Sequence, residues 1–208
     1  MKIRILLFIC LFLIVLITNG QIYGFKFGWS QPDYNLNKNN FIKYNENLYQ
    51  GYQYGAFIRT DSSRFFFQIE AFYMKSEETF FNEPGKPNFN PAIDTFNQHV
   101  VLQTINIPFS VGLRLIRLSH FDVRAHAAIQ SSVTLDKKIT SSLNTSPINS
   151  NLIENIVVKY FVGAGFDLYF LSCDLRYYFE NTSPIKSTET ISFPYKDRYF
   201  NFSAALKF

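Results

Sequence analysis

Ile105-Asn106-Ile107-Pro108-Phe109-Ser110-Val111-Gly112-Leu113-Arg114-Leu115 is the stretch that decides how this chain of 208 residues is read. Its odd-numbered residues are all large and apolar, while the even-numbered ones are polar, small or proline. Successive side chains of a strand point to opposite faces, so a period of two marks an extended segment with one apolar and one hydrophilic face. A helix, with its longer period, would scatter the same residues around its axis.

The pattern recurs on both sides. Before it come Tyr23 to Ser30, Tyr52 to Arg59 and Phe65 to Tyr73; after it come Phe121 to Val133, Val158 to Leu168, Cys173 to Glu180, and a last segment that ends at Phe208. Across the eight segments the apolar faces carry no Asp, Glu, Lys or Arg, whereas the opposite faces carry twelve. The connections alternate as well. Residues 60–64, 116–120 and 169–172 are short; residues 31–51, 74–104, 134–157 and 181–198 are long and polar, and part of them, such as Val100 to Thr104, extends the strands. Eight alternating segments with tight turns at one end and long loops at the other predict an eight-stranded antiparallel up-and-down transmembrane β-barrel, with the short turns periplasmic. The expected organisation is a signal peptide over 1–20 and one barrel domain over 21–208.

Composition points the same way. Charged residues make up 17% of the chain, against about 25% in an average soluble domain, and aromatic residues 18%, with 24 Phe and 13 Tyr. The start is Lys2 and Arg4, an apolar run from Ile5 to Ile17, then Thr18-Asn19-Gly20. That is the build of a cleaved secretory signal, with Gln21 as the expected first mature residue. Its removal takes Lys2 and Arg4 and no acid, so 20 basic and 16 acidic residues become 18 and 16. So even a balance gives no electrostatic reason to expect nucleic acid. Cys173 is then the only cysteine, which excludes an intramolecular disulfide.

Alternation alone does not say which face meets solvent. An eight-stranded barrel has an interior only just wide enough for side chains or one small ligand, and the aromatic-rich apolar set would overfill it. The hydrophilic faces hold Gly24, Gly28, Gly55, Gly112, Gly163 and Gly165, which suit a crowded lumen. The apolar face is therefore expected to point outward, into lipid. The lumen is expected to hold Lys26, Arg59, Arg114, Arg124, Lys159, Arg176 and Lys207 with Glu70, Asp122, Asp167, Asp174 and Glu180, beside His126. Seven positive and five negative side chains predict a plugged, salt-bridged interior and not a water channel.

The terminal Phe208, with Leu206, Ala204 and Phe202 at every second position before it, resembles the signal by which barrel-assembly machinery recognises outer-membrane proteins. The chain as a whole resembles the PorT-like outer-membrane β-barrel family. The resemblance is carried by Gly24-Phe25-Lys26-Phe27-Gly28-Trp29, Phe67-Gln68-Ile69-Glu70, Ile105-Asn106-Ile107-Pro108-Phe109, Phe161-Val162-Gly163-Ala164-Gly165-Phe166 and the closing strand. It implies an outer-membrane barrel. The family's namesake serves type IX secretion and gliding; no catalytic residues come with the resemblance.

Enzyme chemistry finds little support. Of the three histidines, His99 lies near a loop and His120 at a periplasmic turn, while His126 is expected inside between Arg124 and Ala128, held by Asp122 one strand position further down, beyond Arg124. No nucleophile, histidine and acid gather at the outward surface, and no His, Cys and Asp spacing matches a metal site. Glu77, Glu78, Glu83 and Asp94 read as solvated loop charge, and the triplet Asn201-Phe202-Ser203 as a coincidental glycosylation pattern. No cofactor is expected. The expected partners are outer-membrane lipid, the assembly machinery and an envelope protein met through the four long loops. The alternatives are an accessory subunit of a secretion or gliding machine, a narrow porin-like channel, and a lipid-modifying barrel enzyme.

Overall fold

Each alternating segment becomes a strand, because its β-branched and aromatic residues favour the pleated backbone and its neighbours offer matching faces. A computed structural model of the chain describes residues 21–32, 42–44, 50–60, 64–82, 97–141, 150–179 and 199–208. The strands are β1 (Gln21–Pro32), β2 (Ile42–Tyr44), β3 (Gln50–Thr60), β4 (Phe65–Asn82), β5 (Asn97–Arg117), β6 (Phe121–Ser141), β7 (Ile156–Leu168), β8 (Leu171–Tyr178) and β9 (Tyr199–Lys207). A 3-10 turn, Ser150–Leu152, lies between β6 and β7.

All strands but β2 join in one closed ring of eight, in which every neighbour is antiparallel: β4-β3-β1-β9-β8-β7-β6-β5 and back to β4. The seam is β1 against β9, from Gly24 opposite Lys207 to Pro32 opposite Tyr199. At its foot Phe208 and Tyr23 exchange both backbone hydrogen bonds, at 2.9 and 3.0 Å. The fold is a closed up-and-down β-barrel. β2, which the sequence pattern did not single out, pairs outside the ring with the far end of β4.

Among the described residues the barrel is taller on one side. β4, β5 and β6 run to 18, 21 and 21 residues, against 12 for β1 and 9 for β9. Two register shifts interrupt the long pair. Between Gln103 and Thr104 the ladder passes from Asp136 to Thr134, so Leu135 is an extra residue on β6; between Arg114 and Ile116 the extra residue is Leu115 on β5. Such bulges change which face the following side chains take. Beyond Leu135, Lys137 pairs with buried Leu102 and extends its ammonium to the Ile153 carbonyl (3.1 Å) and the Asn155 side chain (3.2 Å).

The lumen is packed by setting bulk against glycine across the ladder. Phe57 faces Gly24, Gln53 faces Gly28, Phe72 faces Gly55, and His126 lies between Gly112 and Gly163. A Cβ at Gly55 would lie 2.1 Å from the Ala71 carbonyl oxygen and 2.5 Å from the Phe72 Cα, both backbone atoms that cannot step aside. Gly55→Val is therefore expected to lower stability by about 1–3 kcal/mol, the usual cost of overpacking. Loss of the compact, heat-sensitive form on a denaturing gel, or an earlier urea midpoint, would register it. An unchanged midpoint would show that the lumen is looser than this contact implies.

Candidate functional site: the lumen

Alternation along β1 and β3 to β9 delivers polar side chains to the interior, and the closed ring seals them there. Lys26, Arg59, Glu70, Arg114, Arg124, Asp167, Asp174 and Arg176 are all buried, and Arg59, Arg124 and Arg176 retain no exposed surface at all. Asp122, half-buried Lys159 and Lys207 lie at the same inward register positions. Glu180 and the loop 181–198 lie outside the described residues, as does the expected signal peptide over 1–20.

Toward the short turns the ion pairs gather around Asp167. Its carboxylate receives Arg59 Nη2, Arg124 Nη2 at 2.9 Å and Lys207 Nζ at 3.2 Å. Arg114 Nε lies 3.7 Å from Asp122 Oδ2, and Arg114 Nη2 reaches the Thr60 carbonyl at 3.5 Å. One level up, Asp174 and Glu70 form the second centre. Lys26 Nζ donates to Asp174 Oδ2 (2.8 Å) and Glu70 Oε1 (3.1 Å), and Arg176 Nη2 also donates to Glu70. Arg124 joins the two centres, because its Nη2 also donates to Asp174 Oδ1 (3.1 Å) and Ser172 Oγ (3.0 Å). Aromatic rings fill the gaps between cations. Phe66 lies beneath both Arg59 and Arg124, Phe161 beneath Arg176 at 4.9 Å, and Tyr199 beneath Lys159 at 5.1 Å.

His126 differs from its expected setting. Its ring lies between Phe66 (6.3 Å) and Phe161 (5.9 Å), and neither ring nitrogen has a hydrogen-bond partner among the described residues. Asp122 does not hold it: that carboxylate sits below, toward Arg114. The reason is the pleat, which brings Gly112 and Gly163 alongside His126 and leaves flat space that aromatic rings close.

Above the charges the lumen turns neutral and then apolar. Gln130 donates to Asn106 (2.9 Å) and Ser132 (3.0 Å) and accepts from the Tyr178 hydroxyl (2.8 Å), while Tyr178 stacks on Tyr199 at 4.2 Å. Asn201, the first residue of the glycosylation-like triplet, is buried here and donates to Ser30 Oγ. Met74, Val100, Leu102, Ile153 and Val157 close the upper end. Ile153 carries no direct signal in the sequence, because it lies inside the long connection 134–157 and lacks period-two neighbours.

The outer surface is the complement. Among the described residues, no outward strand position between the upper collar and Arg64 carries a charge. Phe25, Phe27, Phe65, Leu115, Tyr160, Leu175 and Phe202 are each at least half exposed. The collar begins where Lys75 pairs with Glu77 at 2.6 Å and Gln103 reaches Asp136. The Lys75 hydrogen bond holds the Glu77 carboxyl below its ordinary value. His99 lies beside Glu77 at 3.7 Å, near the upper end of β5. Glu83 and Asp94 lie outside the described residues, and no cluster of three or more metal-ligating side chains occurs among the described ones.

No protein-family model and no curated protein matches the chain. Among solved structures it is similar to Ail, the attachment invasion locus protein of Yersinia pestis. That likeness covers 92% of this chain and 100% of the other, at 8% identity and a TM-score of 0.41.

Breaking a buried pair by removing one partner costs about 3–5 kcal/mol, whereas replacing both with apolar groups is often neutral. Glu70→Leu is thus expected to destabilise the barrel strongly, and Glu70→Leu with Arg176→Leu to recover much of the loss. Urea unfolding of the four proteins in the cycle measures the coupling; additive losses would mean the pair is not coupled. A buried polar group without a partner costs about 1–3 kcal/mol, so His126→Leu is expected to hold or raise the same midpoint. A fall would reveal an imidazole contact that the ring packing does not account for.

Proposed function

We propose that this chain is an integral outer-membrane barrel with a plugged lumen, serving a structural or interaction role through its long loops and carrying no enzyme activity. One observation carries the reading: between the charged collar and the short turns, the outward face of all eight ring strands is a continuous apolar surface, while the charges at those levels lie inside. In water that arrangement exposes far more apolar area than a soluble monomer tolerates. In hydrocarbon it is the stable one, because every strand finds two hydrogen-bonded neighbours and the ring has no edge. Trp29, Tyr52, Tyr54, Tyr73 and Tyr160 face outward, and rings with a polar tip suit a membrane boundary.

The packing of the interior supports the plug. Charge pairs, the layer around Gln130 and the apolar layer around Val100 leave Arg59, Arg124 and Arg176 without accessible surface, so an ion would have to displace paired side chains. The loops and the protruding ends of β4, β5 and β6 are the parts left to meet an envelope partner. A place beside a secretion or gliding machine is the finer version of this reading, motivated by the PorT-like resemblance. Phe208, next to Tyr23 at the seam, is read as the assembly signal.

The chain carries its own reporter, since Trp29 is its only tryptophan and faces outward. In vesicles containing brominated phospholipid, Trp29 emission is expected to be blue-shifted and strongly quenched, and planar bilayers are expected to show no steady conductance. A Trp29 spectrum typical of water, with the mature chain monodisperse in plain buffer, would overturn the membrane assignment; discrete conductance steps would overturn the plug.

A further inference from the structure

The turns at the foot of the barrel are of two kinds. Between β3 and β4 the chain reads Asp61-Ser62-Ser63 and continues into exposed Arg64. Between β5 and β6, and between β7 and β8, the foot is mostly apolar: Leu115, Leu118, Tyr169 and Phe170 are each more than 60% exposed and Ile116 is 48% exposed, with exposed Arg117 the one charged side chain among them. The bulge at Leu115 leaves two successive apolar side chains exposed where regular pleating would have turned one inward.

Tyr169 adds an independent observation. Its φ of 51° lies in the left-handed region, the only such non-glycine residue among those described. A side chain there costs about 1 kcal/mol or more, and glycine would avoid the cost. The bulky ring instead lies 4.6 Å from the His120 ring, and the Tyr169 amide donates to the His120 carbonyl at 3.0 Å. The two apolar turns are thereby locked side by side, holding a strained and exposed aromatic in place.

We infer that this foot of β5 to β8 is seated in the phospholipid leaflet at the short-turn end, deeper than the β3–β4 foot, so that the barrel stands tilted. The inference rests on the membrane reading above and extends it. Lipid is the occupant because the patch continues the lipid-facing columns without a break: Leu113 leads to Leu115 and Ile116, while Leu168 and Leu171 flank Tyr169 and Phe170. Its polar tips, the Tyr169 hydroxyl and the Ser119–His120 pair, suit the headgroup zone, where apolar bodies with wet ends settle.

Single-tryptophan proteins test this. In a Trp29→Phe background, Leu118→Trp, Phe170→Trp and Arg64→Trp are each reconstituted in vesicles of phosphatidylcholine brominated on the acyl chains, beside the wild type. Tryptophan at 118 and at 170 is expected to lose most of its emission to the bromines, and at 64 to keep it and be quenched instead by aqueous iodide. Equal iodide quenching at all three positions, with Trp29 of the wild type still quenched by lipid, overturns the seated foot and leaves the membrane reading standing. Failure of Trp29 to be quenched overturns both. Heat-dependent mobility checks folding of each variant, and positions 118 and 170 report separately should one not fold.

Discussion

The pairing of β1 with β9 is the bond on which everything else depends. Seven of the eight interfaces join strands that are neighbours in the chain or separated only by a short strand outside the ring, and these can form locally. The eighth joins the two ends of the described chain. Without it, two rows of amide and carbonyl groups would be left open, and in the membrane setting proposed above each unpaired group would cost several kcal/mol. With it, the backbone is satisfied from within, and the side chains on the outside are free to be as apolar as the surroundings require. The exposed phenylalanines of β1 and β9 are tolerable only because the seam behind them is shut.

Closure has an equal consequence for the inside. Once the wall is complete, a charged side chain buried inside it must find a partner within the lumen or lie buried alone. Asp167 and Asp174 answer this by each serving several cations, and Arg124 spans the two levels. The rings of Phe57, Phe66 and Phe161 soften the remaining repulsion by presenting their faces to cations. The interior is therefore graded, with charge near the short turns, neutral hydrogen bonds at mid-height and aliphatic side chains above.

The class of fold was legible because a period of two is a local property that survives any tertiary setting. None of the apolar-face residues read from Tyr23 to Phe208 is buried within the ring. Less legible were features set by contacts across the ring. The neighbours of His126 come from β4 and β7, so the acid four residues away in sequence, Asp122, was a poor guide to its surroundings. The bulges at Leu115 and Leu135 break the period by one residue, and in a single strand such a break looks like its end. The full length of β4 to β6 was hidden for the same reason, since outward Lys75, Glu77 and Asp136 resemble loop residues until the partner strands are known.

The apposition of large side chains with glycines has a further meaning for how such a chain can change. Volume in the lumen is shared along each rung, so a residue cannot grow unless its neighbour on the next strand shrinks. Phe57 with Gly24 and His126 with Gly163 behave as single units of fixed size, divisible in more than one way between two strands. Sequence drift inside the barrel is thereby channelled into exchanges, and descendants of this chain that keep its girth would trade bulk between partners, conserving the sum and not the residue.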